Sequence, residues 1–244
     1  MQLSGHERGA LRRAMLLTLL FTGLLWWIKV VEALFGWDFV GLGVYPRDWR
    51  GLPGILFAPL IHGSFEHLFA NTLPLLVLGT LLLYGYPRSR WRVLLLIWLG
   101  SGLGVWLTAR EAYHFGASGL AHGLMFFLFV VGILRRDRRA IVLSMVAFFL
   151  YGSMVWGIFP QEPGISYESH FWNAVAGVLG AILWRKRDPQ PAARRYAWEM
   201  QEAEDSEDPL IGDLWKHARA PEQPLPRGTE SAVPENGDTY RNDA

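Results

Sequence analysis

The sequence predicts an all-α membrane protein: a bundle of six transmembrane helices, a long loop after the first helix, and a disordered C-terminal tail. Three observations predict it. Six apolar runs each approach the roughly 20 residues that cross a bilayer as a helix. Basic residues collect in alternate loops. The two parts of the chain also differ in charge. Residues 188–244 carry 6 Arg/Lys against 13 Asp/Glu, a net of −7, while residues 1–187 carry 17 against 9, a net of +8. The overall +1 describes neither part.

Taken in order, residues 1–13 are a short N-terminus holding Arg8, Arg12 and Arg13. Residues 14–28 read AMLLTLLFTGLLWWI without a charge, and the apolar run continues past Lys29 and Glu32 to about Phe35. Trp26 and Trp27 stand where a signal peptide would show small residues, so this is a first span and not a cleaved leader. A loop of about 36–64 follows. It has Gly and Pro punctuation but also apolar stretches such as Gly54 to Ile61, so it is expected to dip into the membrane interface and pack on the bundle. Five further apolar runs fall at about 65–86, 93–109, 116–134, 140–159 and 166–184. The spans together make one domain, 14–187. Beyond it, 188–244 holds 7 of the 14 prolines and no apolar run long enough for a core, apart from a possible short helix at about 192–203.

The loops set the orientation. With the N-terminus in the cytoplasm, the cytoplasmic segments as far as Arg195 hold 15 Arg/Lys and the opposite side only Arg47, Arg50 and Arg110. Every loop then obeys the positive-inside rule, and both termini are cytoplasmic. The absence of cysteine excludes disulfide scaffolds, thiolate metal sites and a cysteine nucleophile. The basic residues sit in short clusters beside apolar runs and not along one face, which argues against nucleic acid as a partner.

Polar groups inside spans mark candidate sites, because they are costly there. They are Lys29 and Glu32, His62, Glu66, His67 and Asn71, Ser118 and His122, and His170 and Asn173. Lys29 and Glu32, three apart near a span end, read as a simple pair. The remainder gather by depth: Asn71, Ser118 and His170 each lie near the outer end of a different span. Ser118 sits in Gly116-Ala117-Ser118-Gly119 at a helix start, where backbone N–H groups are free. A serine hydroxyl needs a base, which a histidine supplies, and the attacked carbonyl needs donors for its oxyanion. His67 and Asn71 are four apart and share a helical face; His62 falls at the loop end. Each feature alone has a plain reading in helix packing or structural hydrogen bonding. Their coincidence at one depth is what points to chemistry.

These residues resemble the rhomboid family of intramembrane serine proteases, in their bacterial six-span form. HGSFEHLFAN, with His62, His67 and Asn71, is similar to the family's second-span motif. Gly116-Ala117-Ser118-Gly119 is similar to its nucleophile motif, and His170 in ISYESHFWNAVAG to its sixth-span histidine. Trp49-Arg50 is similar to the Trp-Arg pair of its first loop. The resemblance implies a Ser118–His170 dyad without a carboxylate. His67, Asn71 and the Ser118 backbone N–H would line the oxyanion hole, and His62 would be structural. Gly116, Gly119 and His122 would support the dyad. It implies no metal and no cofactor, membrane-protein substrates cut in or near a transmembrane helix, contact with membrane lipid, and a place in the bacterial inner membrane. Oligomeric state stays open.

Two residues depart from the family pattern. His122 stands where Tyr is frequent and is expected to support the His170 ring by packing or a hydrogen bond. Asn173 stands where Gly is usual, so the fourth and sixth spans are expected either to separate or to be bonded across by Asn173. A catalytically inactive rhomboid-like binder is the alternative, although both members of the dyad are present. A transporter or channel would show mid-span charges and related halves, and neither is evident.

Overall fold

In the computed structural model, residues 4–160 and 164–189 are described. The acidic tail beyond 189, with its expected disorder and short helix, lies outside the described residues. Within them the secondary structure is helical, with no strands; one isolated antiparallel bridge joins Val44 and His114.

Helix α1 spans Gly5–Phe35. It begins well before the apolar run because Ser4 and Glu7 form a capping box. The Glu7 N–H donates to Ser4 Oγ at 3.3 Å, and the Ser4 N–H donates to the Glu7 carboxylate at 2.9 Å. At about 1.5 Å per residue such a helix is some 46 Å long, more than the hydrocarbon thickness. Its first turns, with Arg8, Arg12 and Arg13, extend past the apolar zone. Helix α2 spans Phe65–Gly85, capped by Ser64. Helix α3 spans Arg90–Thr108 and contains one wide π-turn at Leu96–Gly100. There Ser101 Oγ donates back to Ile97 O, which repairs part of the disturbed ladder. Helix α4 spans Ser118–Arg135, and α5 spans Arg138–Ile158, its last seven residues wound as 3₁₀. Helix α6 spans Tyr167–Trp184.

Helices α1 to α5 are long and apolar enough to cross a membrane. Helix α6 is 18 residues long, but Glu168, His170 and Asn173 in its first turns lower its mean apolarity. The most enclosed helix is α4, buried without interruption from Gly119 to Met125. A helix that is apolar on all sides belongs at the centre, and α6 packs chiefly against it. Helix α1 is attached to α2 through Thr18, whose hydroxyl meets that of Thr80 at 3.0 Å. Such a bond inside a membrane contributes only about 0.6 kcal/mol, so apolar packing holds most of this contact.

The basic residues meet at one end of the bundle. Asp188 is buried there. Its carboxylate accepts from the Arg88 N–H at 2.6 Å and from the Ser89 hydroxyl. Arg135 donates to the carbonyls of Arg185 (2.8 Å) and Asp188 (2.9 Å). At the opposite end, the segment joining α1 to α2 leans on the bundle. The Arg47 guanidinium donates to Ala109 O at 2.8 Å, and the Trp106 indole donates to Asp48 O at 2.9 Å. Lys29 and Glu32 are paired at 2.8 Å, as their spacing implies. The pair also fastens this segment, since Lys29 donates to Gly63 O and Glu32 accepts the Phe39 N–H.

Candidate active site

Ser118 is the first residue of α4, preceded by a tight approach of three chain segments. Gly116 takes a φ of +109°, which a side chain disfavours. A Cβ there would also lie 2.7 Å from Cε1 of His67, whose ring rests on this backbone. The Gly116 N–H is fixed by Ala58 O at 2.9 Å, and the Ala117 N–H by His62 Nε2 at 3.3 Å. His62 accepts this bond, so its Nε2 carries no proton. That agrees with burial, which pushes its pKa down to about 4 and keeps the ring neutral. His62 therefore braces the turn that presents Ser118 and makes no contact with the hydroxyl itself.

Ser118 Oγ lies 2.8 Å from His170 Nε2. The other ring nitrogen of His170, Nδ1, lies 2.9 Å from Gly157 O. A carbonyl can only accept, so Nδ1 holds the ring proton and Nε2 offers a lone pair to the Ser118 O–H. A hydroxyl bonded to the imine nitrogen of an oriented imidazole can pass its proton to it on attacking a carbonyl. Glu168, the nearest carboxylate in sequence, points elsewhere: it meets Arg110 at 3.3 Å. A backbone carbonyl thus orients the histidine here.

His122 lies against the same ring. The two imidazoles stack with centroids 3.8 Å apart and planes 9° from parallel. His122 Nδ1 donates to Ser118 O at 2.8 Å, because helical side chains lean toward the N-terminus. It approaches the serine's carbonyl, not its hydroxyl.

His67 and Asn71 project from the first turns of α2. Asn71 is buried, and its amide nitrogen has no hydrogen-bond partner in the protein. The His67 ring lies against Gly116, two residues before Ser118, and the first N–H groups of α4 have no partner within the helix.

Asn173 neither separates α4 from α6 nor bonds between them. Its amide donates to Ser169 O, one turn back on its own helix, at 2.8 Å. The room comes from Gly119, where a Cβ would fall 2.4 Å from Asn173 Nδ2. A close approach of the two helices lies one turn further along α6, where a Cβ on Gly177 would meet Gly123 O. Beside this contact, Ser101, Gly119, Ser169 and Asn173 help line a cavity of about 30 Å³. The buried Asn173 Oδ1 has no protein partner.

Sequence reasoning missed Gly157 and Ala58, which act through backbone carbonyls; Gly157 also leaves room for the His122 ring, since a Cβ there would lie 2.7 Å from its Nε2. It also missed His114, whose Nδ1 lies 2.6 Å from Ser166 Oγ and whose Nε2 lies 3.0 Å from Arg110 O. That histidine ties the loop before Ser118 to the N-cap of α6. Among the described residues, no cluster of His, Asp and Glu is suited to hold a metal ion.

The Rhomboid domain family model matches residues 48–187, a stretch that includes every residue of this site. Uncharacterized proteins of Mycobacterium tuberculosis and Mycobacterium bovis are each 40% identical over 175 residues, covering 68% of this chain and 72% of theirs. One from Mycobacterium leprae is 35% identical over 68% of this chain and 69% of its own. No solved structure matches the chain significantly. The matched stretch runs from the loop before α2 to the end of α6, and the chain belongs to the rhomboid family.

Proposed function

We propose that this integral membrane protein is a serine endopeptidase that cuts transmembrane segments of other membrane proteins through a Ser118–His170 dyad. One observation carries the proposal: Ser118 Oγ stands 2.8 Å from a His170 nitrogen whose partner nitrogen already donates to Gly157 O. Ser118 Oγ attacks the scissile carbonyl carbon while its proton passes to His170 Nε2. The carbonyl oxygen becomes an oxyanion, met by the Ser118 N–H, Asn71 and His67 and favoured by the N-terminal end of α4. His170 then returns the proton to the leaving amine, leaving an acyl ester on Ser118. Water, deprotonated by the same histidine, hydrolyses that ester. His122 supports the His170 ring, and Gly116 and Gly119 keep the approach open. The scheme calls on no cofactor.

In this reading α6 is a sixth span, and the unit 14–187 is the protease domain. Residues 1–13 and the tail from 188 lie in the cytoplasm of a bacterium, and the dyad faces the opposite side of the inner membrane. The gathering of basic residues at one end of the bundle, away from Ser118, supports that orientation.

The test is cleavage of a model transmembrane substrate by purified protein. Wild type is expected to cut it, while Ser118→Ala and His170→Ala each do not, with melting temperatures unchanged. Cleavage by Ser118→Ala at the wild-type rate would exclude the mechanism. A folded wild type that binds such substrates without cutting them would favour the inactive binder.

A further inference from the structure

A second feature of the bundle includes neither Ser118 nor His170 in its lining. Helices α1, α2 and α3, with Leu56 of the loop and Leu120 and Leu124 of α4, line a groove of about 570 Å³ whose walls are almost wholly apolar. Trp91, Leu94, Leu95, Trp98 and Leu99 form its α3 wall, a stripe at helical spacing along one face. Leu17 and Phe21 form the α1 wall and Leu75 and Leu83 the α2 wall, with Thr18 of α1 resting against Gly79 between them. Towards the end that carries Ser118 the groove is closed. The Trp98 indole donates to Leu56 O at 3.1 Å, and the Phe21 and Trp98 rings meet edge to face at 5.9 Å.

The opposite end is basic. Arg13 lies one turn before Leu17 on the same face of α1, and Arg92 lies in the first turn of α3, beside Trp91; both are exposed. Arg90 is committed to Leu83 O at 2.9 Å, whereas Arg92 makes only a long, exposed bond to Arg88 O at 3.5 Å. Trp91, half exposed at the mouth of the groove, is of the type enriched at headgroup depth. A groove open to lipid, apolar along its length and cationic only where headgroups lie, matches one kind of molecule. A second copy of this chain in the same membrane would bring its own basic end to the same depth and be repelled there.

We propose that this groove is a binding site for an anionic phospholipid. One acyl chain lies along the α3 stripe, and the phosphate is held by Arg13 and Arg92. The site is independent of the protease reading, and its test requires no activity.

Purified full-length protein in neutral detergent is titrated with phosphatidylglycerol or phosphatidylcholine of identical chains, and retained lipid is counted by native mass spectrometry. One phosphatidylglycerol is expected to be held more tightly than phosphatidylcholine. The pair Arg13→Gln and Arg92→Gln should lower its affinity roughly tenfold. The pair Lys186→Gln and Arg187→Gln, which removes the same charge from the same end, should leave it unchanged. Leu95→Trp, which fills the groove from an exposed position, should abolish retention of both lipids. Equal retention of the two lipids by wild type, or equal losses in the two charge pairs, would overturn the proposal. Undiminished retention in a folded Leu95→Trp would overturn the placement of the acyl chain.

Discussion

His122 and Ser118 lie one turn apart on α4, and the structure gives the two histidines near Ser118 different partners. His170 reaches the hydroxyl, while His122 bonds the carbonyl of the same residue and stacks on His170. A stacked ring of this kind contributes about 0.5–1.5 kcal/mol. His122→Ala is therefore expected to lower kcat by roughly two- to tenfold with little change in KM. His122→Tyr, which restores a flat ring, should keep most of the activity. Cleavage assays over a range of substrate concentrations check this, and a folded but inactive His122→Tyr would assign His122 a direct part in proton transfer. At this scale the residue types were legible because reactive side chains are rare inside apolar runs. The carbonyl of Gly157 was not, because one more glycine in an apolar run gives no sign that two imidazole rings pack against it.

Between elements, the placement of the dyad depends on how closely α4 and α6 run. Sequence alone left two outcomes for Asn173, and neither occurs. Position 173 does not decide this by itself, because the space its side chain occupies is provided by Gly119 on the other helix. A side chain on Gly177 has no such relief, since it would meet the backbone of Gly123. Gly177→Val is expected to cost about 1–3 kcal/mol through overpacking and to pull His170 away from Ser118. Thermal melting in detergent should fall and cleavage should be lost. Leu179→Val, on the exposed side of the same helix, should change neither. Wild-type melting and cleavage by Gly177→Val would show that this contact does not position the dyad. The early start of α1 has a similar lesson: Ser4 and Glu7 carried the capping signal, but the three arginines that follow hid it from a search for apolar runs.

Across the described bundle, chemistry-bearing side chains collect at one end and most of the basic residues at the other. The domain limit read from composition ended at 187, yet Asp188 is buried and holds the turn between α2 and α3 to the end of α6. Composition sees one more acidic residue in an acidic tail; only the fold brings it to Ser89, about a hundred positions away. A chain ending after Pro191 is expected to match the full chain in melting temperature and cleavage. One ending after Arg187 leaves the buried Ser89 hydroxyl without its acceptor and should lose about 1–3 kcal/mol of stability. Loss of cleavage by a folded chain ending at Pro191 would show that the tail contributes to the site. The central claim, that His170 activates Ser118 as a nucleophile, is tested most directly by covalent labelling. Membranes bearing the wild-type protein are treated with a fluorophosphonate, and the adduct is mapped by peptide mass spectrometry. We expect one modified residue, Ser118, and its loss in His170→Ala although the serine remains. No adduct at Ser118 in wild type, or equal labelling in His170→Ala, would contradict the account.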